Sequence, residues 1–405
     1  MWLLAFCWRN LWRNKIRSGI IIGAIASGLT GGMLTFAFMK GLSDQYVHSA
    51  IATEVSHIQL HHPQFLLNRE WGYRIPATDS VIAAIARRPQ VAAISKRLIT
   101  SAMAGSPQTA AGVNLEGVVD STERSVTDLC TRLIAGDYFG SASNQILIGA
   151  RLSRKLQVGL RGKIVLTLQR ADGELTGGAF RIAGIFHSDN SMFEETQVFI
   201  RFDELRQLAG LDHEDAHEIA IRLYRDSETD AQTQALAQSF PNLRVQSWKE
   251  VKPELAMMSG VMDQMLYLFL VIIMIALAFG IINTMLMALF ERRREFGLLL
   301  AIGMKKRYIL RMILSETLLL SLIGATAGVC AATALVLGLG RVGINLSAFS
   351  QGLSAMGYSP RVFPALHPEF YLVLTGLVII TAAVASIYPV YWATGVQPAE
   401  AIRNE

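Results

Sequence analysis

Four apolar runs, near 18–40, 264–290, 310–340 and 368–393, constrain this chain more than any other feature. A bilayer core of about 30 Å takes roughly 20 helical residues to cross. Inside lipid every backbone N–H and C=O must be paired within its own segment, so such runs read as transmembrane helices. Between the first two lies a long polar stretch, residues 41–262, rich enough in charge to be soluble. The 405 residues are 52% hydrophobic and 17% charged, and the apolar excess sits in the runs. The expected fold is an α-helical membrane protein with four transmembrane helices. A large α+β extracytoplasmic domain, made of two subdomains, is inserted between the first and second.

Basic residues orient such a protein, because Lys and Arg collect in cytoplasmic loops. Arg9, Arg13, Lys15 and Arg17 precede the first run, and six Lys and Arg residues fall within 291–307. Residues 341–367 carry only Arg341 and Arg361. The asymmetry puts 1–17, 291–309 and 394–405 in the cytoplasm, and 41–262 and 341–367 outside. The first run could instead be a secretory signal, with Ala24-Ile-Ala26 as its cleavage site. Apolar sequence continues to Phe38 and Met39, which favours an uncleaved anchor. Ahead of it, Arg9, Arg13 and Arg17 line one helix face and Leu4, Trp8 and Leu11 another, with Trp12 at the boundary. That pattern suits an interfacial helix. The net charge of +5 lies largely beside the apolar runs, which argues against nucleic acid and for membrane lipid.

The segment Glu291-Arg-Arg-Arg-Glu-Phe-Gly-Leu-Leu-Leu-Ala-Ile-Gly-Met-Lys-Lys-Arg307 is not merely charged. Phe296, Leu299, Leu300 and Ile302 interrupt the charge at helical spacing, and Gly297 and Gly303 allow close backbone approach. A short amphipathic element at a membrane boundary is suited to docking a soluble partner. Glu316 stands one to two turns into the third run. It is expected to snorkel to the cytoplasmic surface or to bind a basic partner; a proton relay would need further buried acids. Gly19, Gly23, Gly28 and Gly32 in the first run, and Gly324 and Gly328 in the third, allow close helix packing.

In the polar stretch, 79–88, 150–156, 202–209 and 229–239 read as helices. Residues 145–148, 163–169, 180–186, 197–200 and 219–223 read as strands. The subdomain split is expected near 75–135 and 136–225. His213-Glu-Asp-Ala-His217 matches H-E-x-x-H, which on a helix would hold zinc with a glutamate base. Its neighbours read instead as a loop entering a strand, so no metal site and no catalytic residue is assigned. A membrane zinc protease remains a remote alternative. His57, His61 and His62 read as isolated histidines. Gly159-Leu-Arg-Gly-Lys-Ile164 lacks the spacing and hydroxyl of a phosphate loop. This chain is therefore expected to bind no cofactor itself. Cys7, Cys130 and Cys330 are far apart, and only Cys130 lies in the polar stretch.

The layout resembles the FtsX/MacB-type permeases of ABC transporters, and within them the LolC/LolE group. The resemblance rests on Asn283-Thr-Met-Leu-Met287 running into Glu291–Gly297 and Ala301-Ile-Gly-Met304. It rests also on Glu316 with the Gly324/Gly328 span, and on Tyr388-Pro-Val-Tyr-Trp-Ala-Thr-Gly-Val-Gln-Pro-Ala-Glu-Ala-Ile402. Gly184-Ile-Phe186, and Trp248 just before the second span, add to it. The chain departs from the pattern at Leu300, where the family often has a basic residue, and near Val390 and Tyr391. The resemblance implies a permease without its own nucleotide site, working with an ABC ATPase dimer that carries ATP and Mg. It implies a second permease subunit, a copy or a paralogue, in the bacterial inner membrane. ATP-driven movement of the external domain would release lipoproteins or similar amphiphiles, with a periplasmic acceptor or adaptor as a further partner. Glu291, Arg292, Glu295, Phe296, Gly297, Gly303 and Met304 would couple to the ATPase. Met33, Phe36, Met39, Met262, Met265 and Phe269 would contact cargo. Other roles within the family are a drug or peptide exporter with an adaptor, and an FtsX-like regulator of cell-wall hydrolases.

Overall fold

The computed structural model of the protein describes residues 8–9, 15–366 and 368–394. Most of the N-terminal pattern expected over 1–17, and the tail 395–405, lie outside the described residues. The chain forms two compact units. The first takes the described residues of Met1–Ser43, Gly260–Asn345 and Arg361–Glu405; the second takes Asp44–Ser259 and Leu346–Pro360.

Four helices are long and apolar enough to cross a membrane: Lys15–Ala50, Pro253–Glu291, Lys306–Val342 and Pro368–Thr394. They are called here the first to fourth helices. The first continues ten residues beyond the expected end at residue 40, since no proline interrupts it. In the helical unit one seam of the first helix is buried, with Ile21, Ile25, Leu29 and Met33 four residues apart, as helical periodicity requires.

The glycines divide by role. A Cβ at Gly324 would stand 2.9 Å from Ile25 Cβ and 3.2 Å from Ile22 O, and one at Gly328 would stand 2.9 Å from Ala26 O. The third helix thus approaches the backbone of the first through these two positions. Thr30 Oγ1 reaches both Ala26 O at 2.7 Å and Gly328 O at 3.2 Å. Gly28 and Gly32 face Leu277 and Ile273 of the second helix, while Gly19 and Gly23 meet nothing within 4 Å.

The second unit is α+β and holds a ten-stranded sheet. Its strands are β1 Ile58–His61, β2 Val91–Gly105, β3 Ala110–Val118, β4 Leu133–Gly136, β5 Gln145–Gly149, β6 Lys163–Gln169, β7 Leu175–Phe186, β8 Gln197–Arg201, β9 Glu218–Leu223 and β10 Arg244–Ser247. Their order is β10-β1-β9-β2-β3-β8-β5-β7-β4, with β6 bridging β2 and β7. Two hydrophobic cores share β2 of this sheet. One gathers Ile58, Leu60, Ile75, Ile85, Ile219 and Ile221; the other is built from β3, β5, β6, β7, β8 and the later half of β2, and a third cluster gathers Val118, Leu147, Phe186 and Phe199.

The expected split near 75–135 and 136–225 does not follow these cores. The 15-residue β2 serves both, pairing β9 with its first half and β3 and β6 with its second. Residues 219–223, assigned to the later subdomain, belong to the same core as Ile75 and Ile85. Leu346–Pro360, expected to be part of a separate outer loop, joins this unit: Ser191 Oγ donates to Ser354 O at 2.7 Å, and the Tyr46 and Tyr358 rings stand 4.6 Å apart.

On β2, Arg97 is buried. It donates to Glu123 at 2.6 and 3.2 Å and to Glu218 at 2.8 Å, and His61 Nε2 pairs with the other Glu218 oxygen at 3.0 Å. Burial pushes the carboxyl of neighbouring Glu116 up to about 7.

Candidate coupling site

The second helix ends at Glu291, and after Arg292 a short helix, Arg293–Ala301, leads to the third. Its exit is a Schellman turn: Ile302 N–H bonds Leu298 O at 3.1 Å and Met304 N–H bonds Leu299 O at 3.0 Å, around Gly303 at φ +96°. Such a φ suits glycine, and a Cβ there would meet nothing within 4 Å. Conformation, not crowding, is what Gly303 answers to. Met304 and Leu299 pack against the helical core behind the turn.

Arg292 fixes the entry. Its Nε donates to Glu295 Oε2 at 2.9 Å, its Nη1 to Glu316 Oε2 at 3.2 Å, and its guanidinium stands 5.1 Å from the Phe296 ring centroid. Phe296 is buried with Ile21, Met285, Leu289, Ile313 and Leu320 lining the same pocket. The Arg292 and Glu316 side chains are 11% and 8% exposed, so water screens this pair little. Glu316 thus meets Arg292 of its own chain.

The short helix therefore has two faces. Phe296 and Gly297, expected to couple, are buried on the inner one. On the outer one Leu298 is 57% and Ile302 76% exposed, one turn apart. Glu291, Arg294, Glu295 and Lys305–Arg307 are exposed around them. Leu298 was not among the apolar residues singled out from the sequence pattern. Its spacing of four from Ile302 is the signal that marks it.

The six residues expected to contact cargo do not share one environment. Met33 and Phe36 are buried, Phe36 against the Phe370 ring at 4.5 Å, and Met39 packs on the same core. Met262 is half-buried, while Met265 and Phe269 are 46% and 42% exposed on the second helix.

The H-E-x-x-H residues do not lie on a helix. His213 is exposed in a loop, and His217 is buried beside the start of β9, with Nδ1 accepting from Ile99 N–H at 3.1 Å. The two imidazoles thus do not share a helix face.

Two family models match. The MacB-like periplasmic core domain covers residues 18–240, more than half of the chain, and the FtsX-like permease C-terminal domain covers 267–398. The chain belongs to this permease family. It is an ABC transporter permease of the MacB/FtsX/LolC type, whose members work with an ABC ATPase. It is 20% identical to the lipoprotein-releasing system transmembrane protein LolC of Neisseria meningitidis serogroup B, over 95% of this chain and 93% of that one. A local match to the pyoverdine export ATP-binding/permease protein PvdT of Pseudomonas aeruginosa is 38% identical over 88 residues, 21% of this chain and 13% of that one. Among solved structures, the periplasmic region of MacB from Actinobacillus actinomycetemcomitans aligns with TM-score 0.36 and 8% identity, over 52% of this chain and 98% of that one.

Proposed function

We propose that this permease couples ATP hydrolysis on a separate ATPase dimer to the release of lipoproteins, or similar amphiphiles, from the bacterial inner membrane. The observation that carries the coupling half is the exposed Leu298–Ile302 pair, ringed by charge, on a helix held from behind by Arg292, Glu316 and Phe296. An apolar pair with a polar rim suits a protein surface better than water. Rigid attachment on the inner face lets a pull on the outer face move the second and third helices as bodies. The similarity to LolC over nearly the whole chain supports the cargo half.

In this reading Glu291, Arg294, Glu295 and the cations 305–307 supply the polar rim. Phe296, Gly297, Gly303 and Met304 set the shape of the element. ATP and Mg reside on the partner, and a second permease subunit completes the assembly. Met265 and Phe269 are the exposed members of the cargo set. A second reading is a drug or peptide exporter with a periplasmic adaptor, and the local match to the pyoverdine export protein PvdT supports its export half.

Purification of the tagged chain from native membranes, with mass spectrometry and an ATPase assay, tests this. The expected result is a co-purifying ATPase that Leu298→Asp with Ile302→Asp removes, and a retained lipoprotein. An adaptor without lipoprotein selects the second reading. Retention of the ATPase by the double variant overturns the coupling assignment.

A further inference from the structure

The first helix does not end in an ordinary cap. From Ala50 it runs on into a π turn, Ile51–Val55, closed by Ser56 N–H on Ile51 O at 2.9 Å. Ser56, the residue that leaves the turn, stands at φ +57° and ψ −177°, a conformation that fits glycine far better than serine. Single π turns and strained residues of this kind persist where their surroundings hold them, and they collect at functional sites. Here Ser56 is buried, and Ile51 and Val55 share a cluster with Trp248 and with Leu255 of the second helix. The turn is thus clamped beside the start of that helix.

The turn carries Glu54, whose side chain is 4% exposed. Its two oxygens serve different segments. Oε2 pairs with Nζ of Lys252, the residue just ahead of the second helix. Oε1 accepts from Asn190 Nδ2 at 2.9 Å. Asn190 in turn caps the helix Ser191–Thr196, its Oδ1 accepting from Met192 N–H at 3.1 Å and Phe193 N–H at 3.3 Å. Ser191 of that helix holds Ser354 O, in the linker between the third and fourth helices, and Phe193 packs with Phe186 of β7 and Phe199 of β8. Two other ties at this level, Arg132 Nη2 to Ser49 Oγ at 3.0 Å and Asp128 N–H to Ala52 O at 2.8 Å, reach only the first helix and its turn. The Glu54 carboxylate reaches both helices and the sheet's own helix at once.

We propose that Glu54 is the positioning residue of a joint that locks the ends of the first and second helices to the α+β unit, so that displacement of the helices reaches Ser191–Thr196 and the linker it holds. A charge-assisted bond where little water enters is strong and directional, and a carboxylate shared by two donors fixes both in one geometry. The strained exit at Ser56 keeps the turn from continuing as a free helix, so the carboxylate stays aimed at its two partners. The joint serves the function proposed above and depends on that reading.

Hydrogen exchange of the purified permease–ATPase complex, with and without ATP and vanadate, tests this. In the wild type, trapping is expected to change exchange of the Ser191–Thr196 amides. That change is expected to be lost in Glu54→Gln, which keeps an acceptor for Asn190 but no charge for Lys252, and in Lys252→Met, while both variants still hold an active ATPase. The two substitutions together should lose no more than either alone, since each removes the same bond. Lys249→Met, which breaks the exposed pair with Asp230 three residues before Lys252, should respond as the wild type does. Should Glu54→Gln fail to fold, Lys252→Met, altered at a half-buried side chain, decides alone. A response that survives in the Glu54 and Lys252 variants, is equally lost in Lys249→Met, or is missing from a wild-type complex with active ATPase overturns the joint and leaves the permease reading standing. A preparation without any ATPase overturns that reading, and the joint with it.

Discussion

Arg292 and Glu316 stand 24 positions apart in the chain and 3.2 Å apart in the fold, Arg292 just ahead of the short coupling helix and Glu316 on the third helix. Arg292 carries the turn between the second helix and the short one, so this bond fixes where that helix starts. Both side chains are largely buried, and removing one partner of such a pair leaves the other charge stranded, at roughly 3–5 kcal/mol. Glu316→Ala is therefore expected to lower the melting temperature of the purified permease and to weaken ATPase co-purification. Exchange of the pair, Arg292→Glu with Glu316→Arg, is expected to recover a large part of both. A double-variant cycle with no coupling energy would show that the contact contributes nothing.

Gly303 makes a narrower prediction. Its φ of +96° costs an L residue about 1–2 kcal/mol, while the space around it is open. Gly303→Ala is expected to fray the short helix without a steric clash. Hydrogen exchange at the Ile302 and Met304 amides, which close the turn, should speed up. Exchange at Ile25 or Leu320 should not change. Equal rates at the turn in both proteins would refute the assignment.

The approach of the third helix to the first is a packing claim that can be tested by volume. Gly324→Val adds carbon where a Cβ alone already stands 2.9 Å from Ile25 Cβ. Overpacking of this kind costs roughly 1–3 kcal/mol. Gly23→Ala, with nothing within 4 Å, is expected to be neutral or slightly stabilising through its helix propensity. Thermal aggregation of the two variants in detergent should separate them clearly. Indistinguishable behaviour would remove the glycine pair from the packing account.

What was legible in the sequence followed from strict periodicity. In β6, Ile164, Leu166 and Leu168 are buried and their neighbours exposed, and the strand was read to the residue. β2 and β3 were missed because Val91–Gly105 and Ala110–Val118 are rich in alanine, serine and glycine, which carry little strand signal. β2 is also the strand that joins the two cores, so a split near 75–135 and 136–225, drawn without it, does not follow them. In the coupling segment the charge and glycine pattern was enough to find the element. Its facing was not legible, because Phe296 and Leu298 are both apolar and only the packed helices show which one turns inward. The Arg292–Glu316 bond is hidden by distance along the chain, and Glu316 alone, an acid inside an apolar run, leaves snorkelling, a basic partner and a proton relay all open.

The Arg97 network predicts a large effect from one substitution and a smaller one from two. Arg97→Met leaves Glu123 and Glu218 buried without their cation, at roughly 3–5 kcal/mol. Arg97→Met combined with Glu123→Met removes one stranded charge, and His61 still faces Glu218. The double variant is expected to be more stable than the single one, measured by the protease concentration needed to cleave the α+β unit. A double variant as labile as the single one would place the stabilisation in packing rather than in charge.

His217 predicts a pH dependence. Burial, with the nearby Arg74 charge second, lowers its imidazole to about 4. The unfolded chain takes up this proton near pH 6.5, the folded chain only near pH 4. Between these values the unfolded state binds more protons, so the contribution of His217 to stability is present above pH 6.5 and is lost as pH falls, by up to about 1.4 kcal/mol per pH unit. Below pH 4 both states are protonated and the loss stops. His217→Phe keeps the stack on Phe65 and Trp71 but has no proton to gain, so its stability should change less with pH over this window. Melting temperatures of the wild type and the variant, measured from pH 4 to pH 7 in buffers free of phosphate and carboxylate, give the comparison. Parallel curves would show that the buried imidazole is not held neutral, whereas a gap that widens toward acid would trace that part of the acid lability to this one ring.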